Sequence, residues 1–141
     1  MRGSRRTSGE ILQRFLRAVC IAAALAPWPL PLPACEVCVE DYVAATYDYS
    51  VVAGAEAAGR KVLFVAVRGK DAAMPASEAA LRRALHAVAA VDRNSIRYSA
   101  FPSAVSFAWN PKRASSADLL RTLNGRLGGS GLTLVALKVL G

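Results

Sequence analysis

Lys61-Val-Leu-Phe-Val-Ala-Val-Arg68 is the stretch on which the fold turns. Six apolar residues, three of them β-branched, run without a break between two cations, which is the pattern of a central strand. Downstream, Gly69 to Pro75 reads as a loop. Ser77 supplies an N-cap for a helix through Ala90, with Leu81, Ala84, Leu85, Val88 and Val91 on one face. Ile96 to Phe101 makes a second strand, Pro102-Ser103 a tight turn, and Ala104 to Asn110 a third strand. Ser115-Ser-Ala-Asp118 carries a capping signature, opening a helix through Leu127 that buries Leu119, Leu120, Leu123 and Leu127. Gly128-Gly-Ser-Gly131 stops it. Leu132 to Leu140 is the last strand, with Thr133, Val135, Leu137 and Val139 alternating onto one face.

This order, β-α-β-β-α-β, predicts an α+β fold of the split βαβ, ferredoxin-like kind. It is a four-stranded antiparallel sheet with both helices on one face, occupying residues 61–141. Residues 35–60 precede it as an extension. Val39, Tyr42, Val43, Thr46 and Tyr47 recur at helical spacing, and Glu40 and Asp41 suit a first turn by opposing the helix dipole. Tyr47, Tyr49 and Val51 alternate as a strand would. The helical pattern is the longer, so a helix is expected from Cys38 to Ala53, with Gly54-Ala-Glu-Ala-Ala-Gly59 as a linker.

Residues 1–34 read as an export leader. Arg2, Arg5, Arg6, Arg14 and Arg17 form a basic flank, Ala18 to Leu25 a short apolar run, and Ala34 a small residue for cleavage. The run is shorter than the roughly 20 residues of a spanning helix, and the prolines after it prevent extension. Leu32-Pro33-Ala34-Cys35 also partly resembles a lipobox, in which Cys35 would carry lipid and could not pair with Cys38. The chain holds 18 Lys and Arg against 10 Asp and Glu. Five of those cations and one acid lie in the leader, so half of the net charge of +8 leaves with it. The remainder is too mildly basic for the concentrated cationic surface of a nucleic-acid binder. Export means a periplasmic or extracellular location, where two cysteines are usually paired or metal-bound. Membrane contact is expected only through a lipidated Cys35 or a retained leader.

Val62-Leu-Phe-Val-Ala-Val67, the helix Glu78-Ala-Ala-Leu-Arg-Arg-Ala-Leu-His-Ala-Val88 with Val91 after it, and Ser95-Ile-Arg-Tyr98 carry a family likeness. Ala104-Val-Ser-Phe-Ala-Trp-Asn-Pro111 and Ser116-Ala-Asp-Leu-Leu120 extend it. Together they make residues 61–141 resemble the heavy-metal-associated domains of copper chaperones and metal-pumping ATPases. The resemblance implies a Cys-x-x-Cys clamp between first strand and first helix, four residues before the helix's first core aliphatic. Counting back from Leu81, those places hold Met74 and Ser77, and the motif reads Met74-Pro-Ala-Ser77. The two-thiolate clamp is missing, so the family's copper transfer does not carry over to this loop. The Met74 thioether is still soft enough to assist Cu(I), against the plainer role of packing over the helix start.

Chemistry therefore rests mainly on Cys35-Glu36-Val37-Cys38. Two thiolates three residues apart can hold Cu(I) nearly linearly, or supply half of a tetrahedral Zn²⁺ site. They can also close on each other as a disulfide, or exchange disulfides if the thiol pKa is lowered. Zinc needs two more ligands, and His86, expected on the surface, is the only imidazole. Phe107 and Trp109 share one face of the third strand, for core packing or a partner rather than for stacking bases. No nucleophile elbow accompanies the serines. The expected function is a non-enzymatic, exported binding or trafficking protein for Cu(I), and second to it Zn²⁺, with Cys35, Cys38 and Met74 as candidate ligands. The alternative is an exported protein-interaction module that has lost metal binding. Its cysteines would then be a disulfide or an anchor, and its sheet face or tyrosine-rich extension would meet a partner. An oxidoreductase stands third.

Overall fold

The computed structural model describes residues 38–141. Residues 1–37 lie outside the described part, and with them the expected leader, its cleavage point, the lipobox-like run and Cys35. The elements in order are α1 (Val39–Thr46), α2 (Tyr49–Ala57), β1 (Lys61–Arg68), α3 (Pro75–His86), β2 (Arg97–Ser99), β3 (Ala104–Trp109), α4 (Ser116–Leu127) and β4 (Thr133–Leu140). Short 3-10 turns occupy Arg93–Ser95 and Gly128–Ser130. The strands form one antiparallel sheet in the order β2-β3-β1-β4, the ferredoxin-like topology that the sequence predicts. Among the described residues no helix is long and apolar enough to cross a membrane.

Alternation along β1 divides its side chains between two layers. Leu63, Val65 and Val67 join Val105, Phe107 and Trp109 of β3 against Leu81 and Leu85 of α3 and Leu119, Leu123 and Leu127 of α4. Val62 and Phe64 point the other way, with Ala108, into a smaller cluster that holds Ala55 and is flanked by Val43, Val51, Val52, Leu137 and Leu140. That second layer is the N-terminal extension itself. β1 reads as an unbroken apolar run because α3 and α4 cover one of its faces while α1 and α2 cover the other.

The extension departs from expectation in two places. The single helix expected from Cys38 to Ala53 is two helices. Asp48 begins the second, its Oδ1 accepting from the backbone N–H groups of Ser50 (2.9 Å) and Val51 (3.3 Å). The expected linker from Gly54 to Gly59 is mostly the end of α2. Gly59 takes φ +65° and donates its N–H to Glu56 O (3.0 Å), while Arg60 N donates to Ala55 O (2.8 Å). These are the two bonds of a Schellman stop, for which glycine carries no Cβ penalty. The chain is thus turned directly from α2 into β1.

Smaller corrections follow the same logic. α3 starts at Pro75 rather than at Ser77, with Met74 as N-cap and a proline at N1, where its missing N–H costs no helical bond. It ends at His86, because Val91 leaves the helical path to bridge Trp109. In β4 the pairing skips Leu137: Phe64 opposes Lys138 and Val65 opposes Ala136. This bulge breaks the expected alternation. Val135, opposite Ala66, stays on the α1–α2 face, while Val139, opposite Leu63, moves to the α3–α4 face. At the start of the β1–α3 loop, a Cβ on Gly69 would lie 2.7 Å from Gly131 O, so the approach of the two backbones there requires glycine.

Candidate metal centre

Cys38 is exposed and stands immediately before α1 in extended conformation. Its N–H donates to Asp41 Oδ2 (3.1 Å), and its carbonyl accepts from Asp41 N (3.0 Å). The acidic first turn expected from Glu40 and Asp41 is therefore present, and Asp41 also closes the helix start. α1 is fixed to the sheet further along. Ser106 Oγ donates to Thr46 O (2.8 Å), and the Tyr47 ring stacks on Phe64 with centroids 6.4 Å apart and an interplanar angle of 11°. The Arg68 guanidinium lies 5.6 Å from the Tyr42 ring centre. Arg97 Nε donates to Asp48 Oδ2 (2.8 Å). Cys38 therefore begins a helix held against the domain, instead of ending a glycine tether.

The Asp48 carboxylate is held at about 2, below its usual 3.8. The Ser50 hydroxyl contributes most, followed by the Arg97 guanidinium. Asp118 at the start of α4 is also lowered, first by the hydroxyl of its capping partner Ser115 and then by Arg121. Burial raises the Tyr98 phenol, with a further push from Glu78, and its OH donates to Ala72 O (2.7 Å).

Met74 is exposed at 55% and ends the loop from β1. Its carbonyl accepts from Ser77 N (2.9 Å). Ser77 is buried, and its hydroxyl donates back to Asp71 O (2.6 Å) across the loop. At the two places where the resembled family carries thiolates, one side chain points to solvent and the other is committed to the backbone. The Met74–Ser77 loop does not fit a two-ligand clamp. Cys38 and Met74 head helices on opposite faces of the sheet: α1 belongs to the layer over Phe64, α3 to the layer over Leu63. His86 is exposed at the last position of α3. Among the described residues no three His, Cys, Asp or Glu side chains gather as a metal would require.

Phe107 and Trp109 do share one sheet face, and it is the one packed against α3 and α4. Trp109 Nε1 donates to Ala114 O (3.1 Å), so the indole is fully used in the core. The opposite face of the sheet is covered by α1 and α2. Sequence reasoning missed the Asp48–Arg97 and Ser106–Thr46 contacts, which join residues 49 and 60 positions apart. It also missed the gathering of Arg60, Arg93 and Arg113 from three separate loops around one cleft. Neither has a local sequence signal, since both depend on the sheet order. No known family model, curated protein or solved structure matches the chain.

Proposed function

We propose that this protein is an exported, non-enzymatic domain that binds a soft cation, Cu(I) ahead of Zn²⁺, through the thiolates of Cys35 and Cys38. The observation that carries the reading is the position of Cys38: solvent-exposed, yet rooted at the first turn of a helix packed on the sheet. A thiolate at Cys38 is accessible to an ion and to a second protein handing it over. Thiolate sulfur is the ligand that soft Cu(I) selects. The likeness of residues 61–141 to heavy-metal-associated domains supports the same direction, with the ligands moved from the β1–α3 loop to the extension. Ser77 donates to Asp71 O and Met74 heads a helix on the other face, which supports the two thiolates over Met74 as ligands.

The test is competition for Cu(I) between the purified, reduced chain and a chelator under anaerobic conditions. One ion per chain is expected, lost in Cys35→Ser and in Cys38→Ser and kept in Met74→Leu. Uptake that is unchanged in Cys38→Ser would contradict the reading.

One observation favours the second reading, a protein-interaction module. β4 is an eight-residue edge strand on which Val135 and Val139 are exposed at 44% and 42%. An open edge of this kind can pair with an extended segment of a partner. Under this reading the same titration shows no uptake and the native chain carries a Cys35–Cys38 disulfide.

A further inference from the structure

The cleft where β1 begins and β3 ends is lined by Arg60, Asp92, Arg93, Asn94, Asn110 and Arg113, over a floor of residues 88–91. Its volume is about 580 Å³. The floor is a fixed clip. Val91 bridges Trp109, Asp92 N donates to Ala108 O (2.9 Å), and Asn110 N donates to Ala90 O (2.9 Å).

Donors and acceptors in this cleft are far from balanced. Its single carboxylate, Asp92, is spent on the Arg60 guanidinium and on the backbone N–H of Asn94 (3.1 Å). Asn110 Oδ1 accepts from Lys112 N (3.0 Å), leaving its amide nitrogen as a donor. Arg113 gives one N–H to Ala89 O (3.2 Å) and meets no carboxylate among the described residues. The Arg93 guanidinium makes no hydrogen bond or ion pair there. What remains in the cleft is two uncompensated guanidinium groups and two side-chain amides, all able to donate.

We infer that this cleft is a binding site for a phosphate-class anion, held by Arg93 and Arg113 with Asn94 and Asn110 as neutral donors. Guanidinium forks match the oxygens of a phosphate two at a time, which makes such bonds short and strong. The volume is in the range of small-molecule sites, so it has room for an organic group attached to the phosphate. The site is separate from the dithiol. Arg60 directly precedes the first residue of β1, whereas Tyr42, one helical turn from Cys38, lies against Arg68 at the strand's other end.

The experiment is an amide chemical-shift titration of the full chain with inorganic phosphate and, separately, with glycerol phosphate. Saturable shifts confined to residues 88–94 and 110–113 are expected. The double variant Arg93→Gln/Arg113→Gln should weaken binding by about tenfold or more, the effect of losing charge-assisted hydrogen bonds. Arg82→Gln, away from the cleft, should leave it unchanged. Tighter binding of glycerol phosphate identifies a phosphorylated organic ligand, and equal binding identifies the free anion; both support the site. Shifts that do not saturate, or equal weakening in Arg82→Gln, would overturn it.

Discussion

On one face of the sheet, α3 and α4 bury Leu81, Leu85, Leu119, Leu123 and Leu127 against Phe107 and Trp109. On the other, α1 and α2 bury little more than Thr46 and Ala55 over Val62, Phe64, Ser106 and Ala108, with half-buried Val43, Val51 and Val52 beside them. Polar contacts make up part of the difference: Ser106 to Thr46, Arg97 to Asp48, and the stacked ring of Tyr47. The first face is held by volume and close packing, which no single hydrogen bond controls. The second is held by a thin apolar layer and a few named bonds, so it is the layer expected to show the faster hydrogen exchange. It is also the layer whose first residue is Cys38.

Substitutions on the two faces should therefore fail differently. Phe107→Ala, at a site with no exposure, is expected to cost about 3–5 kcal/mol, read as a shift of the whole denaturant transition. Ser106→Ala strands the Thr46 carbonyl in a buried setting and should cost about 1–3 kcal/mol. Hydrogen exchange should show that cost mainly in α1 and α2. Tyr47→Ala removes a stacked pair worth about 0.5–1.5 kcal/mol, with faster exchange in α1 and little change in α3 or α4. Equal exchange changes on both faces would remove the distinction between them.

The smallest effect is conditional on pH. Asp48 titrates near 2 in the folded chain against 3.8 ordinarily, so its charged form is favoured by folding. Its contribution is complete above 3.8 and is lost as the pH falls toward 2. Asp48→Asn should lower the neutral-pH stability of the α1–α2 layer and flatten its acid response, followed by exchange or tyrosine fluorescence. A variant with the parent's acid response would show that Arg97 and Ser50 do not hold this carboxylate as described.

Much of the fold was legible because it is written locally. Val62 to Val67 spells a buried strand, Ser115 to Asp118 spells a helix start, and Leu81, Leu85, Leu119 and Leu123 fall at helical spacing. The extension was harder. Tyr47, Tyr49 and Val51 alternate like a strand because a helix break falls between them, and Asp48 capping α2 is the signal that resolves it. Gly54 reads as a linker residue, yet it sits on the open side of α2, where a Cβ would meet nothing within 4 Å. Leu137 misleads because a bulge has no signature in a run of alternating aliphatics. As for the site, the dithiol and the altered Met74–Ser77 loop were visible in the sequence. That Ser77 would be turned onto Asp71, and that Cys38 and Met74 would start helices on opposite faces, depended on how loops fold against the sheet.

Whether Cys35 and Cys38 hold a soft ion is read from the native intact mass of the leader-cleaved chain. Measured after isolation without oxygen from copper-supplied cells, the mass should equal the chain plus one copper ion, and Cys38→Ser should lose the ion. A metal-free chain lighter by two hydrogens, the mark of a Cys35–Cys38 disulfide, would contradict it.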